Sequence, residues 1–173
     1  MITFARYENA EETSIAADID GKGWTNIKPG SHLWSEITEW TEEEGNDIAP
    51  FLAVVMPTEI DAERDRRVAA GFTFAGKLYQ GRPEDRENIT GASLAALAAM
   101  GAGAQPDDLR WHGGDEDFVW IADDNSLTPM DAQTMFAFGQ AAMAHKQAMI
   151  FAARALKDAD PTPSDYTDDA YWP

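Results

Sequence analysis

The sequence predicts an α+β protein, and three of its stretches carry that prediction. Near the N-terminus, short apolar runs are separated by glycine-containing turns, a pattern typical of a β meander. Further along, a charged helical stretch leads into a tight hairpin. From Pro129 to about Lys157, apolar residues recur at intervals of three and four. We therefore expect an N-terminal β meander with one helix, then a module of hairpin and helices that ends in one long helix.

The meander is predicted from three runs. Ile2 to Tyr7 alternates between apolar and polar residues, as an edge strand does. Thr13 to Ile19 and Trp24 to Ile27 are expected to pair across Asp20-Gly21-Lys22-Gly23, where glycine supplies the positive φ of a tight turn. Ser31 then favours a helix N-cap. The predicted apolar face of that helix holds Leu33, Trp34, Ile37 and Trp40.

Gly45 and Asn46 are expected to end this first helix. Ile48 to Met56 is apolar and is predicted to be extended around Pro50. Because Pro57 then opens a new element, we place the boundary between two modules at Met56-Pro57. The sequence thus predicts an N-terminal β-rich module over 1–56, a C-terminal α+β module over 57–158 and a flexible tail over 159–173.

The second module begins with a charged helix from Thr58 that Gly71 closes. Phe72-Thr73-Phe74 and the run from Lys77 to Gln80 flank Ala75-Gly76, a pattern that favours a hairpin. A further helix is predicted from Pro83 to Met100, with a possible break at 88–91. Its apolar residues at helical spacing are Ile89, Leu94, Leu97 and Met100.

A strand from Phe118 to Ala122 and a turn over 123–126 are predicted to precede the long helix. Thr128 is the expected N-cap, with Pro129 at the first helical position and Asp131 completing a capping-box-like pattern. Extending to about Lys157, the helix would be roughly 40 Å long, more than a small domain needs to cover its core.

A narrow apolar seam along this helix is the first candidate functional surface. Two interpretations stay open, because the spacing fits both a helix–helix interface between copies of the chain and a core helix within one copy. His145 has two interpretations as well, a hydrogen-bonded packing residue or a polar layer that sets register. The hypothesised interface residues are Met135, Phe138, Ala142, His145, Met149 and Leu156.

The tail over 159–173 is the second candidate surface. It combines two closely spaced prolines and four aspartates with three aromatic residues, Tyr166, Tyr171 and Trp172. A segment of this composition is expected to be mobile alone, yet its aromatics are unfavourable in water. We therefore expect it to dock onto a partner, with the aromatic residues as anchors.

The composition narrows the classes of partner and chemistry. The formal net charge of −18 disfavours binding to nucleic acid phosphates or to an anionic membrane surface. The chain has no cysteine, which excludes disulfides and thiolate metal sites. It also lacks a signal-peptide pattern and an apolar run of the ~18 residues that span a bilayer, so we expect no membrane insertion and synthesis in the cytoplasm.

Few residues suggest catalysis or metal binding. Asp18 to Gly23 resembles the start of a calcium loop but lacks the later glutamate, so a hairpin turn is the better interpretation. His112 lies beside three carboxylates, but a single histidine in a glycine-rich run favours a solvated turn. No GxSxG, SxxK, phosphate-loop or dinucleotide motif is present. We expect a non-enzymatic protein without catalytic residues, metal or cofactor.

These residues together resemble a phage tail-associated family of unknown function, of the tail-fibre and tail-fibre-assembly type. The resemblance covers 61–157 and rests on AAGFTFAGKLYQ, ENITGA and the run from WIADDNSLTPMDAQTMF to ARALKD. In addition, HLWSEITEWTEEEGNDIAP, near 34–50, is similar to a short segment with Trp, Glu-Gly-Asn and Pro that is found in many phage tail proteins. The loop GAGAQPDDLRWHGGDEDF and the aromatic tail depart from the family pattern.

The resemblance implies a structural or assembly role and brings no catalytic residues with it. The leading expectation is a tail or baseplate component that is associated with tail fibres or host recognition and ends in the virion tail. It would contact other tail or baseplate proteins and form a homo-oligomer. One alternative is a tail-fibre assembly chaperone that is absent from the mature particle. A further alternative, suggested by the charge, is an acidic inhibitor that imitates DNA.

Overall fold

The computed structural model of the chain describes residues 1–43, 45–50 and 55–173. They form two compact units, Met1–Val55 and Met56–Pro173. The first unit contains a small sheet and one helix, and the second contains three helices and two hairpins. The predicted α+β class is therefore confirmed.

In the first unit, the strands β1 (Ile2–Tyr7), β2 (Ile15–Ile19) and β3 (Trp24–Ile27) form an antiparallel sheet in the order β1-β2-β3. The sheet is the predicted meander. The hairpin between β2 and β3 turns through Asp20 and Gly21, both of which have positive φ. Inward side chains of this unit make its own core of Ile2, Ala5, Ile15, Ala17, Ile27 and Ile37.

The helix of the first unit, α1 (His32–Thr41), has the predicted cap. The Ser31 hydroxyl accepts a hydrogen bond from the Trp34 backbone N–H at 3.3 Å. Beyond the helix, Ala49 pairs with the edge of β1 through a parallel bridge to Arg6. Of the predicted extended segment Ile48–Met56, residues 51–54 lie outside the described residues, as does residue 44 of the tail-protein-like segment near 34–50.

The second unit begins with α2 (Pro57–Ala70), followed by the hairpin of β4 (Phe72–Phe74) and β5 (Lys77–Tyr79). Both elements were predicted. Gly71 joins them with φ +102°, and a Cβ at this position would overlap the Tyr79 carbonyl. Glycine is therefore required where the helix meets the hairpin.

The remaining elements of the second unit are α3 (Pro83–Gly101), β6 (Val119–Ile121), β7 (Leu127–Pro129), α4 (Ala132–Asp158) and a 3₁₀ turn (Asp169–Tyr171). α3 is continuous, so the possible break at 88–91 is wrong. α4 packs along α3 and also against α2 and β4. α3 and α4 are antiparallel, since Gln133 near the start of α4 donates to the Ala104 carbonyl just past the end of α3.

The predicted start of the long helix is wrong. Thr128 lies in β7, opposite Trp120 of β6, and its hydroxyl accepts a hydrogen bond from the Tyr79 hydroxyl at 3.1 Å. The N-cap is Asp131, whose carboxylate accepts from the backbone N–H groups of Thr134 at 2.7 Å and Asp107 at 2.8 Å. Cross-strand pairing therefore keeps Thr128 in the sheet. The helix is capped instead by Asp131, the next residue whose side chain accepts hydrogen bonds from backbone N–H groups.

The core of the second unit lies where the two hairpins face α3 and α4. Aromatic rings fill it, with Phe138 of α4 at the centre. The Phe138 ring lies between 4.7 and 5.5 Å, centroid to centroid, from the rings of Tyr79, Phe72, Phe74 and Trp120.

Candidate functional site: a groove between α3 and α4

Large apolar side chains lie in solvent on the outer face of α3 and α4, although the two helices pack against each other. Leu94 is 67% exposed and Met143 is 59% exposed. Leu97 on α3 and Ile150 on α4 are also exposed. Contiguous apolar exposure of this kind marks interaction surfaces more often than scattered single residues do.

Between these side chains the two helices form a groove with a cavity of about 400 Å³. Ile89, Phe136 and Ala142 contribute apolar surface to its lining. The helices approach closely at Ser93 and Gly139, because a Cβ on Gly139 would overlap the Ser93 side chain. Gly139 is unfavourable within a helix by about 1 kcal/mol relative to alanine, and the close approach is the physical reason for its presence. We call this surface the α3–α4 groove.

One end of the α3–α4 groove is positively charged. Arg86 of α3 and Lys146 of α4 line the cavity and also line a neighbouring one of about 650 Å³ that reaches Arg64 and Asp65 of α2. The Arg86 guanidinium donates to the Gly81 carbonyl, which holds its stem against the helix. Within the described residues, Lys146 forms no ion pair with a carboxylate within 4.0 Å, so its charge is available to a ligand.

The predicted interface seam lies on a different face of α4. Met135 and Phe138 belong to the core of the second unit, and Met149 and Leu156 are also buried. Ala142 is half-buried at the edge of the α3–α4 groove. Of the two interpretations of the seam, burial within one copy of the chain favours the core helix. The oligomer through these residues remains a prediction.

His145 is a packing residue within this chain. Its ring stacks on Phe72 with 6.1 Å between the ring centroids. Burial lowers the pKa of His145, and the Arg67 backbone carbonyl opposes that shift only in part. Its buried Nε2 atom has no hydrogen-bond partner among the described residues. The neutral imidazole is therefore the form that this site accommodates.

The three aromatic residues of the C-terminal segment differ in environment. Trp172 is only 7% exposed, Tyr166 is half-buried and Tyr171 is exposed. This chain itself therefore buries Trp172, whereas docking of the segment onto a partner remains a prediction. Its indole N–H donates to the Tyr166 carbonyl at 2.8 Å, and the Arg67 guanidinium lies 5.1 Å from its ring centroid.

Arg67 fastens this segment to α2. Its guanidinium donates to the Thr167 carbonyl at 2.7 Å and pairs with Asp169 at 2.8 Å. The largely buried Glu63 carboxylate accepts from Arg67 at 2.7 Å and also from Arg66. Hydrogen bonding from Arg66, with a smaller contribution from Arg67, lowers the pKa of Glu63 despite its burial. Three of these contacts, to Thr167, Asp169 and Glu63, thus converge on the Arg67 guanidinium, which ties the last residues to the helix.

The other candidate residues lie in or beside turns. Asp18 accepts a hydrogen bond from the Gly23 N–H across the β2–β3 turn, so the hairpin interpretation of Asp18 to Gly23 fits the structure. The His112 ring packs edge-on against Phe118. Among residues 1–43, 45–50 and 55–173, no group of three or more His, Cys, Asp or Glu side chains could hold a metal ion. In the same ranges, no helix is long and apolar enough to cross a bilayer.

Sequence reasoning missed most of the groove. It noted Leu94 and Leu97 only as apolar residues at helical spacing and assigned them no binding surface, whereas the structure exposes both. One signal was available, because the second half of α3, GASLAALAAMG, is apolar around its whole circumference. Such a helix needs apolar contact on more than one side. No sequence pattern indicated that Arg86 and Lys146 line the same cavity, because this depends on how two helices far apart in the sequence pack together.

The fold and the groove define a small α+β protein whose helical unit presents apolar surface and positive charge, an arrangement suited to binding. The chain belongs to the family described as Domain of unknown function (DUF4376), whose model matches residues 53–171. This match covers the whole α3–α4 groove and ends one residue before Trp172. No curated protein and no solved structure matches the chain.

Proposed function

We propose that the chain is a non-enzymatic component of a bacteriophage tail or baseplate, associated with tail fibres or host recognition. In this proposal the α3–α4 groove is a contact with another tail protein. The resemblance of 61–157 to a phage tail-associated family supports the setting. The observation that carries the binding role is the exposed apolar groove beside Leu94 and Met143. Apolar exposure is unfavourable in water and is relieved when a partner covers it.

The groove supports a binding role because of what its lining offers. Its side chains give apolar contact along most of the length and two cations at one end. Apolar contact provides affinity, whereas charge at the rim mainly provides orientation and association rate. Protein interfaces combine these two features, with an apolar centre and a polar rim.

Mass spectrometry of purified phage particles tests the setting. A virion component should be present in stoichiometric amount. The assembly-chaperone alternative predicts that the chain is bound to tail fibres in the lysate and absent from particles. If the chain is found neither in particles nor on tail proteins in the lysate, the proposed function is wrong.

A pair of variants tests the role of the groove. Leu94→Glu places a charge on the apolar surface and should strongly reduce incorporation into particles. Ala95→Glu is the matched control, because it adds the same charge to the exposed neighbouring position, which does not line the groove. Equal incorporation of both variants would separate the groove from the proposed contact. Circular dichroism should first establish that both variants fold.

A further inference from the structure

The charge around the α3–α4 groove is opposite to that of the chain as a whole. The sequence has 31 acidic and 13 basic residues, for a net charge of −18. The two adjoining cavities are nevertheless lined by three cations, Arg64, Arg86 and Lys146, and by one carboxylate, Asp65. Arg64 is paired with Asp61 and Asp65, so the charge available to a ligand comes mainly from Arg86 and Lys146.

We propose that the α3–α4 groove binds an acidic amphipathic helix of a partner protein. Its apolar side chains would cover Leu94, Leu97 and Met143, and its carboxylates would meet Arg86 and Lys146. This inference rests on the proposed function only in taking the groove as a protein contact. It adds the chemistry of the partner segment.

The shape of the groove favours a helix as the occupant. Two antiparallel helices make a trough into which the side-chain ridge of a third helix packs. Leu97 lies eleven residues along α3 from Arg86, a distance of roughly 16 Å or three helical turns. A partner helix of about three to four turns spans this length and presents apolar residues at i, i+3 or i+4, and i+7. Acidic residues at one end of that helix would then reach the two cations.

Charge disfavours a second copy of the chain as the occupant. Apposed copies would bring together two molecules of net charge −18, and symmetric pairing near the cationic end would set Arg86 and Lys146 against their equivalents. The acidic C-terminal segment is also engaged, since Trp172 is buried and Arg67 holds Thr167 and Asp169. An acidic segment of a separate protein would complement the positive end of the groove without bringing like charges together.

The probe is a helical peptide of four turns. It carries leucine at positions i, i+3, i+4 and i+7, and every other position near one of its ends is glutamate. A second peptide carries lysine in place of each glutamate. Fluorescence anisotropy with the full chain should show binding of the glutamate peptide, about tenfold weaker binding of the lysine peptide, and loss of this difference at high salt.

Two charge variants locate the site. Lys146→Glu should weaken the glutamate peptide about tenfold and strengthen the lysine peptide. Lys28→Glu is the matched control, because it makes the same charge change at an exposed position of the first unit. The affinity of this variant for both peptides should stay within about twofold of the wild type, as expected for an exposed, screened charge that does not line the groove. Equal effects of the two variants would overturn the assignment.

Three other outcomes would also overturn the proposal. The first is failure of the glutamate peptide to bind the folded wild type. The second is displacement of the peptide by a low concentration of dodecanoate, which would make the groove a site for anionic amphiphiles. The third is a wild-type dimer in sedimentation equilibrium that Leu94→Glu dissociates, which would make a second copy the occupant. Incorporation into particles without acidic-peptide binding would refute this inference and leave the proposed function standing.

Discussion

Replacement of Phe138 by alanine tests how α4 is used. The side chain is 0% exposed, although it lies on a helix that also bears an exposed phenylalanine, Phe151. Its ring contacts the aromatic side chains of both hairpins, with the shortest centroid distance, 4.7 Å, to Tyr79. Truncation would therefore remove the group that joins α4 to four rings at once.

The loss should be large. Truncating a buried phenylalanine to alanine costs about 3–5 kcal/mol, and the upper part of that range applies where neighbours cannot collapse into the space. Here the surrounding rings come from two hairpins and are held by β pairing, so collapse is restricted. With a urea slope of about 2 kcal/mol per molar, the unfolding midpoint should fall by roughly 2 M.

Urea titration followed by far-UV circular dichroism measures this change, because helices of the second unit dominate the signal. Phe151→Ala is the matched control: it removes the same side chain from the same helix where the residue is 63% exposed. It should change stability by no more than about 0.5 kcal/mol.

Two results would refute the reasoning. Equal destabilisation by Phe138→Ala and Phe151→Ala would mean that α4 is rotated from its described orientation. A midpoint for the wild type that rises with protein concentration would show that folding is coupled to association. In that case the seam of Met135, Phe138 and Met149 would be stabilised between copies rather than within one copy.

The other predictions concern the helix cap, the buried histidine and the C-terminal segment. Asp131→Ala removes the acceptor of two backbone N–H groups and should lower stability by about 1–2 kcal/mol in a denaturant titration. Because burial lowers the pKa of His145 in the folded state, the unfolded chain takes up a proton more readily, and stability should decrease as pH falls below the ordinary value of 6.5. His145→Gln should flatten that part of the pH profile, and an unchanged profile would assign it to other groups. Trp172→Ala should lower the thermal midpoint clearly, whereas Tyr171→Ala, at an exposed position, should change it little. Equal midpoints for these two variants and the wild type would show that Trp172 is not buried in solution.

Local sequence determined most of the secondary structure. Glycine and aspartate at the β2–β3 turn, Ser31 before α1 and Gly71 after α2 each adopt the backbone role that their chemistry favours. The periodicity of α4 also identified the face that carries Met135, Phe138, Met149 and Leu156. These features depend on residues a few positions apart, so the sequence contains the information needed to predict them.

Tertiary structure decided the choices that local sequence left open. Thr128 and Asp131 both have capping side chains, but the partners of Thr128, Trp120 and Tyr79, come from other parts of the chain. The orientation of α3 is another such choice, because the apolar residues on its circumference do not specify which side α4 will cover. In the structure α4 covers another side of α3, and Leu94 is therefore exposed.

The candidate site shows the same division. Composition alone identified the tail as acidic and aromatic, but the burial of Trp172 depends on Arg67, which lies more than a hundred residues earlier in the chain. The α3–α4 groove likewise exists only once Ser93 meets Gly139 and Arg86 comes near Lys146. Periodicity and composition report on one segment at a time. A surface shared by two segments is decided by their packing, and for that reason the sequence predicted the helices but not the groove between them.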